Sequence, residues 1–501
     1  MTTFHILNFG CRASQADGAA LKQQLLQCGL QEAGRLEESA VAILNTCTVT
    51  AAADAEVRQF VRRIHRRNPQ CHILVTGCYA QRAPQEIAPL DGVAWVVGNS
   101  HKHLVSSILA AASSGNTVDG GRDTARIAAT TGLAESPANS VEAESAPPPL
   151  VQIGMLGNRS EEQVTEDGQA AHSPDHPISR SPDAAQVFVG AIAEEFHFAP
   201  VFADDRTRPT LKIQDGCDAR CSFCVIPSVR GQSRSLAPDK VLDQVRQLED
   251  CGYQEVVLSG INLGGYGRDL DRRINFLRMV ERILGETSIA RIRISSIEPM
   301  DVSPALIRLV AEEPRLAQHF HVPLQSGCDR ILRLMNRRYW ARQYAERMWA
   351  IRESMPNAAI GADVMVGFPS ETAQDHAASL RLIESLPYTY LHIFPFSARP
   401  GTPAATASRQ VNGRVARERS QEIRSVITAK RQAFLTAQVG RSLPALTLGE
   451  EEEGARVALT TNYLKVALPG MEIPPNRLVD VHIGRAFSDR LFGYADEARA
   501  R

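Results

Sequence analysis

No stretch of this 501-residue chain approaches the roughly 20 consecutive apolar residues that a membrane-spanning helix needs. Met1 to Gly10 lacks the basic start and long apolar run of a secretory signal, so a cytoplasmic location is expected. Net charge is also nearly absent: 55 basic and 56 acidic residues leave a formal charge of −1. That balance alone neither implies nor excludes a polyanionic partner, but its distribution is informative. Residues 112–184 hold 11 acidic and 4 basic side chains, which leaves 51 basic against 45 acidic elsewhere. The remainder is mildly basic, a balance compatible with nucleic acid.

What the chain does have is length and apolar content. Five hundred residues suggest about three domains, and 44% hydrophobic residues allow large cores. Residues 1–111 alternate short apolar runs (Phe4–Asn8, Val41–Asn45, His72–Thr76, Val93–Val97) with helix-length segments near Gln15–Gln27, Ala52–Arg67 and His101–Ala112. Such alternation predicts an α/β domain with a parallel sheet. Residues 112–206 read as an insertion. Up to 184 it is rich in Ala, Ser, Gly, Pro, Asp and Glu, with Pro147-Pro148-Pro149 at its middle, a composition expected to be largely a disordered linker. Residues 186–202 regain apolar character without a placement.

Residues 207–436 resume the alternation. Apolar strands are expected near Thr210–Ile213, Glu255–Leu258, Ala290–Ile294, Phe320–Pro323, Ile360–Val366 and Tyr390–Pro395. Six β/α units suggest a partial barrel, open on one side. Residues 437–497 lose the helices, and short strands at Ala455–Thr460, Leu464–Leu468 and Leu478–Ile483 suggest a small β-barrel.

Ten cysteines in a reducing compartment argue for metal rather than a disulfide framework. Asp215-Gly216-Cys217-Asp218-Ala219-Arg220-Cys221-Ser222-Phe223-Cys224 has the spacing C-x3-C-x2-C. Three thiolates so close can hold three irons of a cubic [4Fe–4S] cluster. The missing fourth ligand leaves one iron open to chelate S-adenosylmethionine. A zinc knuckle would need four ligands, yet no histidine lies between His197 and His319, and the next cysteine is Cys251.

Cys11, Cys47 and Cys78 are distant in sequence, but each follows one of the first three expected strands. In a parallel sheet the carboxyl ends of all strands share one edge. Three cysteines at equivalent points would converge there and hold a second three-thiolate cluster. Coincidence is the competing reading, because cysteine is commonly buried. Cys28, Cys71, Cys251 and Cys328 have no such placement and read as ordinary thiols.

At these two triads the chain resembles the methylthiotransferase family of radical S-adenosylmethionine enzymes. Further segments carry the likeness: Leu258-Ser259-Gly260-Ile261-Asn262, Ser295-Ser296-Ile297-Glu298-Pro299, His321-Val322-Pro323-Leu324-Gln325-Ser326-Gly327, Met335-Asn336-Arg337-Arg338-Tyr339 and the run from Gly361 to Pro369. The resemblance implies a radical SAM barrel over 207–436 and a TRAM-like RNA-binding barrel over 437–497. It also implies two [4Fe–4S] clusters, with S-adenosylmethionine both methylating a sulfur at one and yielding a radical at the other. It implies tRNA, an electron donor and a sulfur source as partners, for a chain expected to act as a monomer.

Each segment also has a physical reading. Ser259 and Gly260 end a barrel strand at the catalytic face. Asn262 offers polar contacts, Glu298 and Gln325 end the following strands, and Gly367-Phe368-Pro369 makes a turn. These six residues, Ser259, Gly260, Asn262, Glu298, Gln325 and Gly367, are the candidate cofactor contacts. Turn chemistry and packing compete for each.

Branches of the family modify isopentenyladenosine in tRNA, threonylcarbamoyladenosine in tRNA, or a ribosomal-protein aspartate. Gly10-Cys11-Arg12, the run Gly264 to Leu270 and Asn462-Tyr463-Leu464-Lys465-Val466 look most like the threonylcarbamoyladenosine branch. Ala13-Ser14 departs from it, where a longer polar residue and Asn are expected. The helix near Glu56–Asn68 sets Val57, Phe60, Val61 and Ile64 on one stripe and Arg58, Arg62 and Arg66 on other faces. Those arginines are candidate phosphate contacts, with a solvated basic face as the bland alternative. A non-catalytic iron–sulfur RNA-binding protein or redox sensor is the alternative of a different class.

Overall fold

The computed structural model describes residues 2–113, 185–192, 207–270 and 274–495. Two compact units divide the chain. The first comprises Met1–Gly10, Gln24–Thr48 and Ala52–Ala193, and the second Cys11–Gln23, Val49–Ala51 and Glu194–Arg501.

The first unit is a six-stranded sheet of β1 (Thr3–Asn8), β2 (Gln31–Glu32), β3 (Val41–Thr46), β4 (His72–Gly77), β5 (Val93–Gly98) and β6 (Gln186–Phe188). Their spatial order is β2-β1-β3-β4-β5-β6, and every pairing is parallel. Helices cover a parallel sheet, so its strands read as continuous apolar runs. β3 has no exposed residue. The helix Ala51–Arg67 buries Val57, Val61 and Ile64, the stripe its 3.6-residue period lays down.

β6 departs from the expected insertion over 112–206. Its three residues pair with Trp95, Val96 and Val97 and extend this sheet. A three-residue edge strand is too short to show a period, and its backbone bonds to β5 supply what the sequence does not signal. Helix Val105–Ser113 ends one residue past the expected Ala112 and crosses the expected domain boundary at 111. The disorder expected over 114–184 and 193–206 falls outside the described residues.

The second unit holds two architectures. Six parallel strands follow in sequence order: β7 (Thr210–Asp215), β9 (Glu255–Gly260), β10 (Arg291–Ile294), β11 (His319–His321), β12 (Ala359–Val366) and β13 (Tyr390–Pro395). The bridges Ile292↔Leu316 and Ser296↔His321 carry the pairing from β10 to β11. A two-residue strand, β8 (Arg234–Ser235), caps β7 in the antiparallel sense. Among the described residues β13 pairs with neither β7 nor β8, so the barrel is open, the expected partial (β/α)6 form. Its core joins strand residues such as Val256, Leu258, Ile292 and Ile360 to helix residues such as Val241, Met279, Met348 and Ile383.

The C-terminal barrel closes through β14 (Ser442–Glu452), β15 (Ala455–Thr460), β16 (Lys465–Leu468), β17 (Leu478–Phe487) and β18 (Arg490–Ala495), in the order β14-β15-β16-β18-β17. It is tied to the larger barrel by buried charge. Arg293 on β10 pairs with Glu255 on β9 at 2.9 Å, and its guanidinium donates to the carbonyls of Thr460 and Thr461. Among the described residues no helix is long and apolar enough to cross a membrane.

Candidate functional site

The loop after β7 is built around backbone that only glycine adopts easily. Gly216 has φ +70°, and a Cβ there would lie 1.8 Å from the Gln232 carbonyl oxygen. Cys217 N–H donates to the Gly231 carbonyl at 3.1 Å, and Cys224 N–H to the Cys221 carbonyl at 3.1 Å. All three thiols of the loop are partly buried. Burial pushes the Cys217 thiol up and the Cys224 thiol to about 12. Burial thus favours the protonated forms of Cys217 and Cys224. A bound metal supplies the positive charge that makes them thiolates, and binding releases protons.

Gln214, buried beneath this loop, ties it to two candidate cofactor residues. Its Nε2 donates to the carbonyls of Asp215 and Gly216 and to Ser233 Oγ, and its Oε1 accepts from Asn262 N–H at 2.7 Å. A Cβ on Gly260 would lie 2.9 Å from the same Oε1. Ser259 is buried at the end of β9. The segment after helix Asp329–Leu334 closes over the other side. Ser222 donates to the Met335 and Leu334 carbonyls, and Asn336 Nδ2 donates to the Arg220 carbonyl at 2.6 Å. Arg337 NH1 lies 3.3 Å from Cys221 Sγ, while its NH2 pairs with Glu298. Burial pushes the Glu298 carboxyl up and Arg337 pulls it back.

Gln325 and Gly367 bond elsewhere. Gln325 sits in the left-handed region at φ 62°, strained for a side chain of its size, and exchanges backbone bonds with Asp363 and Met365. Gly367 N–H donates to Glu371 Oε2 at 3.1 Å, and a Cβ there would meet Ala416 at 2.8 Å. Its neighbour Phe368 packs edge-on against Phe223 of the cysteine loop and Phe396.

Among the described residues, three buried polar atoms of the candidate segments have no hydrogen-bond partner: Asn262 Oδ1, Gln325 Oε1 and Arg337 Nε. Buried polar groups are normally satisfied, so each such atom calls for an explanation. Orphaned atoms on Asn262, which Gln214 ties to the thiol loop, and on Arg337, beside Cys221, fit a cluster with a polar cofactor.

A buried four-charge network underlies the loop. Asp215 accepts from Arg230 at 2.9 Å and from Lys212 at 2.7 Å, and both cations also pair with Asp17. Burial opposes ionisation of Asp215, but Arg230 and Lys212 outweigh it and hold the carboxyl well below the usual range. Gln214, Arg337 and this network were not among the sequence-derived candidates. Arg337 lies in a segment already singled out, but a lone polar residue in a strand, as Gln214 is, carries no pattern.

In the first unit, Cys47 and Cys78 are buried at the carboxyl ends of adjacent strands β3 and β4. Gly10, with φ +96°, leaves β1 against Cys47; a Cβ there would lie 2.7 Å from Cys47 Sγ. Cys11 is the next residue in the chain. Asn99, after β5, donates to Cys78 Sγ at 3.4 Å, and Asn45 Nδ2 bridges to Asn8 at 3.0 Å. Polar side chains thus gather at the strand ends where the cysteines begin. On helix Ala51–Arg67, Arg62 and Arg66 are exposed, whereas Arg58 is engaged by Tyr79 at 2.5 Å and Glu86 at 3.3 Å.

Two family models match the chain: "Uncharacterized protein family UPF0004" over residues 3–98 and "Radical SAM superfamily" over residues 211–383. The chain is 31% identical to a threonylcarbamoyladenosine tRNA methylthiotransferase of Bacillus subtilis, covering 96% of this chain and 93% of that protein. It is 32% identical to the Aquifex aeolicus enzyme of the same name, covering 92% and 95%. A tRNA-2-methylthio-N(6)-dimethylallyladenosine synthase of Natranaerobius thermophilus is 28% identical over 98% and 96%. Among solved structures, the radical S-adenosylmethionine methyltransferase TsrM of Kitasatospora setae shares the fold, with TM-score 0.51, 15% identity and coverage of 81% of this chain and 74% of that one. The thiol loop, its orphaned polar neighbours and near-full-length similarity agree: the chain belongs to the radical S-adenosylmethionine methylthiotransferase family, transferases that use a [4Fe–4S] cluster and S-adenosylmethionine.

Proposed function

We propose that the protein adds a methylthio group to C2 of N6-threonylcarbamoyladenosine next to the anticodon of tRNA, using two [4Fe–4S] clusters. The observation that carries the reading is near-full-length similarity to threonylcarbamoyladenosine tRNA methylthiotransferases in a chain with two cysteine triads. Cys217, Cys221 and Cys224 hold the radical-forming cluster, and Cys11, Cys47 and Cys78 hold the second. When bound, the clusters supply the electron that splits the sulfonium of S-adenosylmethionine and the open iron that presents sulfur.

The chain's own residues position and enclose. Gln214 keeps Asn262 N–H and the Gly216 carbonyl in one frame, so the thiol loop and the β9 turn move together. Asn262 Oδ1 and Gln325 Oε1 are poised to accept from the bound cofactor, which satisfies both orphaned oxygens. Phe223, Phe368 and Phe396 form an apolar wall beside the loop that excludes water. The first sheet, with β6 added from beyond the expected boundary at 111, serves the second cluster, 207–436 serves the radical step and 437–497 serves as the TRAM-like RNA-binding barrel. tRNA, an electron donor and a sulfur source are the partners.

The test pairs two tRNA substrates with anaerobically reconstituted enzyme, S-adenosylmethionine, sulfide and a reductant. 5′-Deoxyadenosine and the methylthio nucleoside should both form with threonylcarbamoyladenosine tRNA. The dimethylallyladenosine synthases among the relatives favour a second reading. Product from isopentenyladenosine tRNA alone would select it and overturn the first.

A further inference from the structure

Arg337 is an unusual neighbour for a thiol expected to ligate iron. Its side chain is 6% exposed, and it points one nitrogen at Cys221 Sγ, 3.3 Å away. Its second terminal nitrogen is taken by Glu298, and its Cζ lies 5.1 Å from the Tyr339 ring centroid. A guanidinium stays charged at any pH a protein survives. This charge is therefore permanent, buried, directed at one sulfur and partly balanced by one carboxylate.

We propose that Arg337, with Glu298 as its counter-charge, sets the reduction potential of the cluster held by Cys217, Cys221 and Cys224. The inference rests on the cluster assignment made above. Reducing the [4Fe–4S]2+ state by one electron adds one negative charge to the cluster. A hydrogen bond and a positive charge at Cys221 Sγ stabilise the reduced state more than the oxidised one, which raises the potential. Glu298 opposes this by placing a negative charge at the other terminal nitrogen of the guanidinium. The two residues therefore act in opposite directions, whereas a purely structural pair would move together. Ser222 Oγ and Asn336 Nδ2 already hold the loop by donating to the Leu334 and Arg220 carbonyls, so Arg337 is not needed to close it. Arg337 is a positioning and tuning residue; it makes no claim on the substrate.

The experiment uses the full chain with Cys11, Cys47 and Cys78 replaced by Ala, so that one cluster is observed. After anaerobic reconstitution, dithionite supplies the electron, and the midpoint potential is read by the electron paramagnetic resonance signal of the reduced cluster, without substrate. Arg337→Gln should shift the midpoint to lower potential and Glu298→Gln to higher potential. Arg337→Lys, which keeps the charge and loses the fork, should fall between the parent and Arg337→Gln. Equal potentials in the parent and both neutral variants, or shifts in the same direction, overturn the proposal. Should Arg337→Gln fail to retain iron, Glu298→Gln decides: a higher midpoint supports the proposal, an unchanged or lower one overturns it. A parent carrying no cluster signal overturns the cluster assignment instead, and the proposal falls with it.

Discussion

Glu255 has no exposed side-chain surface and faces three guanidiniums, Arg293 at 2.9 Å and Arg208 and Arg291 at 3.6 Å. Burial raises its proton affinity, but Arg293 and Arg208 prevail and hold the carboxyl at about 2. A depressed folded-state value means that stability is present above the unfolded value near 4.5 and is lost as pH falls toward 2. Glu255→Gln would leave buried cations uncompensated, a change that typically costs about 3–5 kcal/mol. Denaturant unfolding of the variant should show a loss of that order at neutral pH, with a weaker acid dependence than the parent. Gly216 gives a second test. Alanine there meets both a positive φ and the Gln232 carbonyl, so Gly216→Ala should reconstitute with about four fewer irons, read by iron analysis. The six triad cysteines stand out in the sequence because spacing and placement mark them, whereas Gly216 is marked only by its backbone and the Gln232 carbonyl. Gln214 and Arg337 act through partners 48 and 116 residues away, Asn262 and Cys221, and no local pattern reports such a partner.

The helix Ala51–Arg67 shows what periodicity reveals and what it conceals. Its apolar stripe is buried as the 3.6-residue spacing requires, but the spacing cannot rank the arginines on the other faces. Packing does. Arg58 is committed to Tyr79 and Glu86, while Arg62 and Arg66 remain exposed. If the helix contacts phosphates, Arg62→Gln with Arg66→Gln should flatten the salt dependence of tRNA binding by about 1.4–1.8 in log–log slope, and Arg58→Gln should leave that slope nearly unchanged. Filter-binding titrations across salt concentrations measure it, and equal slopes in all variants would exclude the helix. Among strands, those buried on both faces were legible as apolar runs. β8 and β6, of two and three residues, were not, because a strand that short has no period. Nor was β14, whose end reads Gly-Glu-Glu-Glu: half of it faces solvent, and only pairing with β15 and β17 makes it a strand.

For the whole enzyme, the two-cluster reading predicts about eight irons after reconstitution and about half that number when Cys217, Cys221 and Cys224 are replaced together by Ala. The complementary triple variant at Cys11, Cys47 and Cys78 should still convert S-adenosylmethionine to 5′-deoxyadenosine but form no methylthio nucleoside. Methylthio product from that variant would remove the proposed role of the N-terminal triad. Deleting residues 115–182, which spares β6, should leave iron content and turnover close to the parent, because that composition supports little burial. Loss of soluble, folded protein on deletion would contradict it.

Chemistry that resides in residue type and short spacing was therefore readable along the chain: C-x3-C-x2-C, cysteines after successive apolar runs, and alternating strand and helix lengths. Each depends on neighbours within a few residues, where covalent geometry alone limits the outcome. The strand order of the last barrel, the sixth strand of the first sheet, the buried charges beneath Cys217 and the guanidinium at Cys221 were decided only by tertiary structure. They join residues tens to hundreds of positions apart, and burial, not sequence proximity, makes their hydrogen bonds and charges matter.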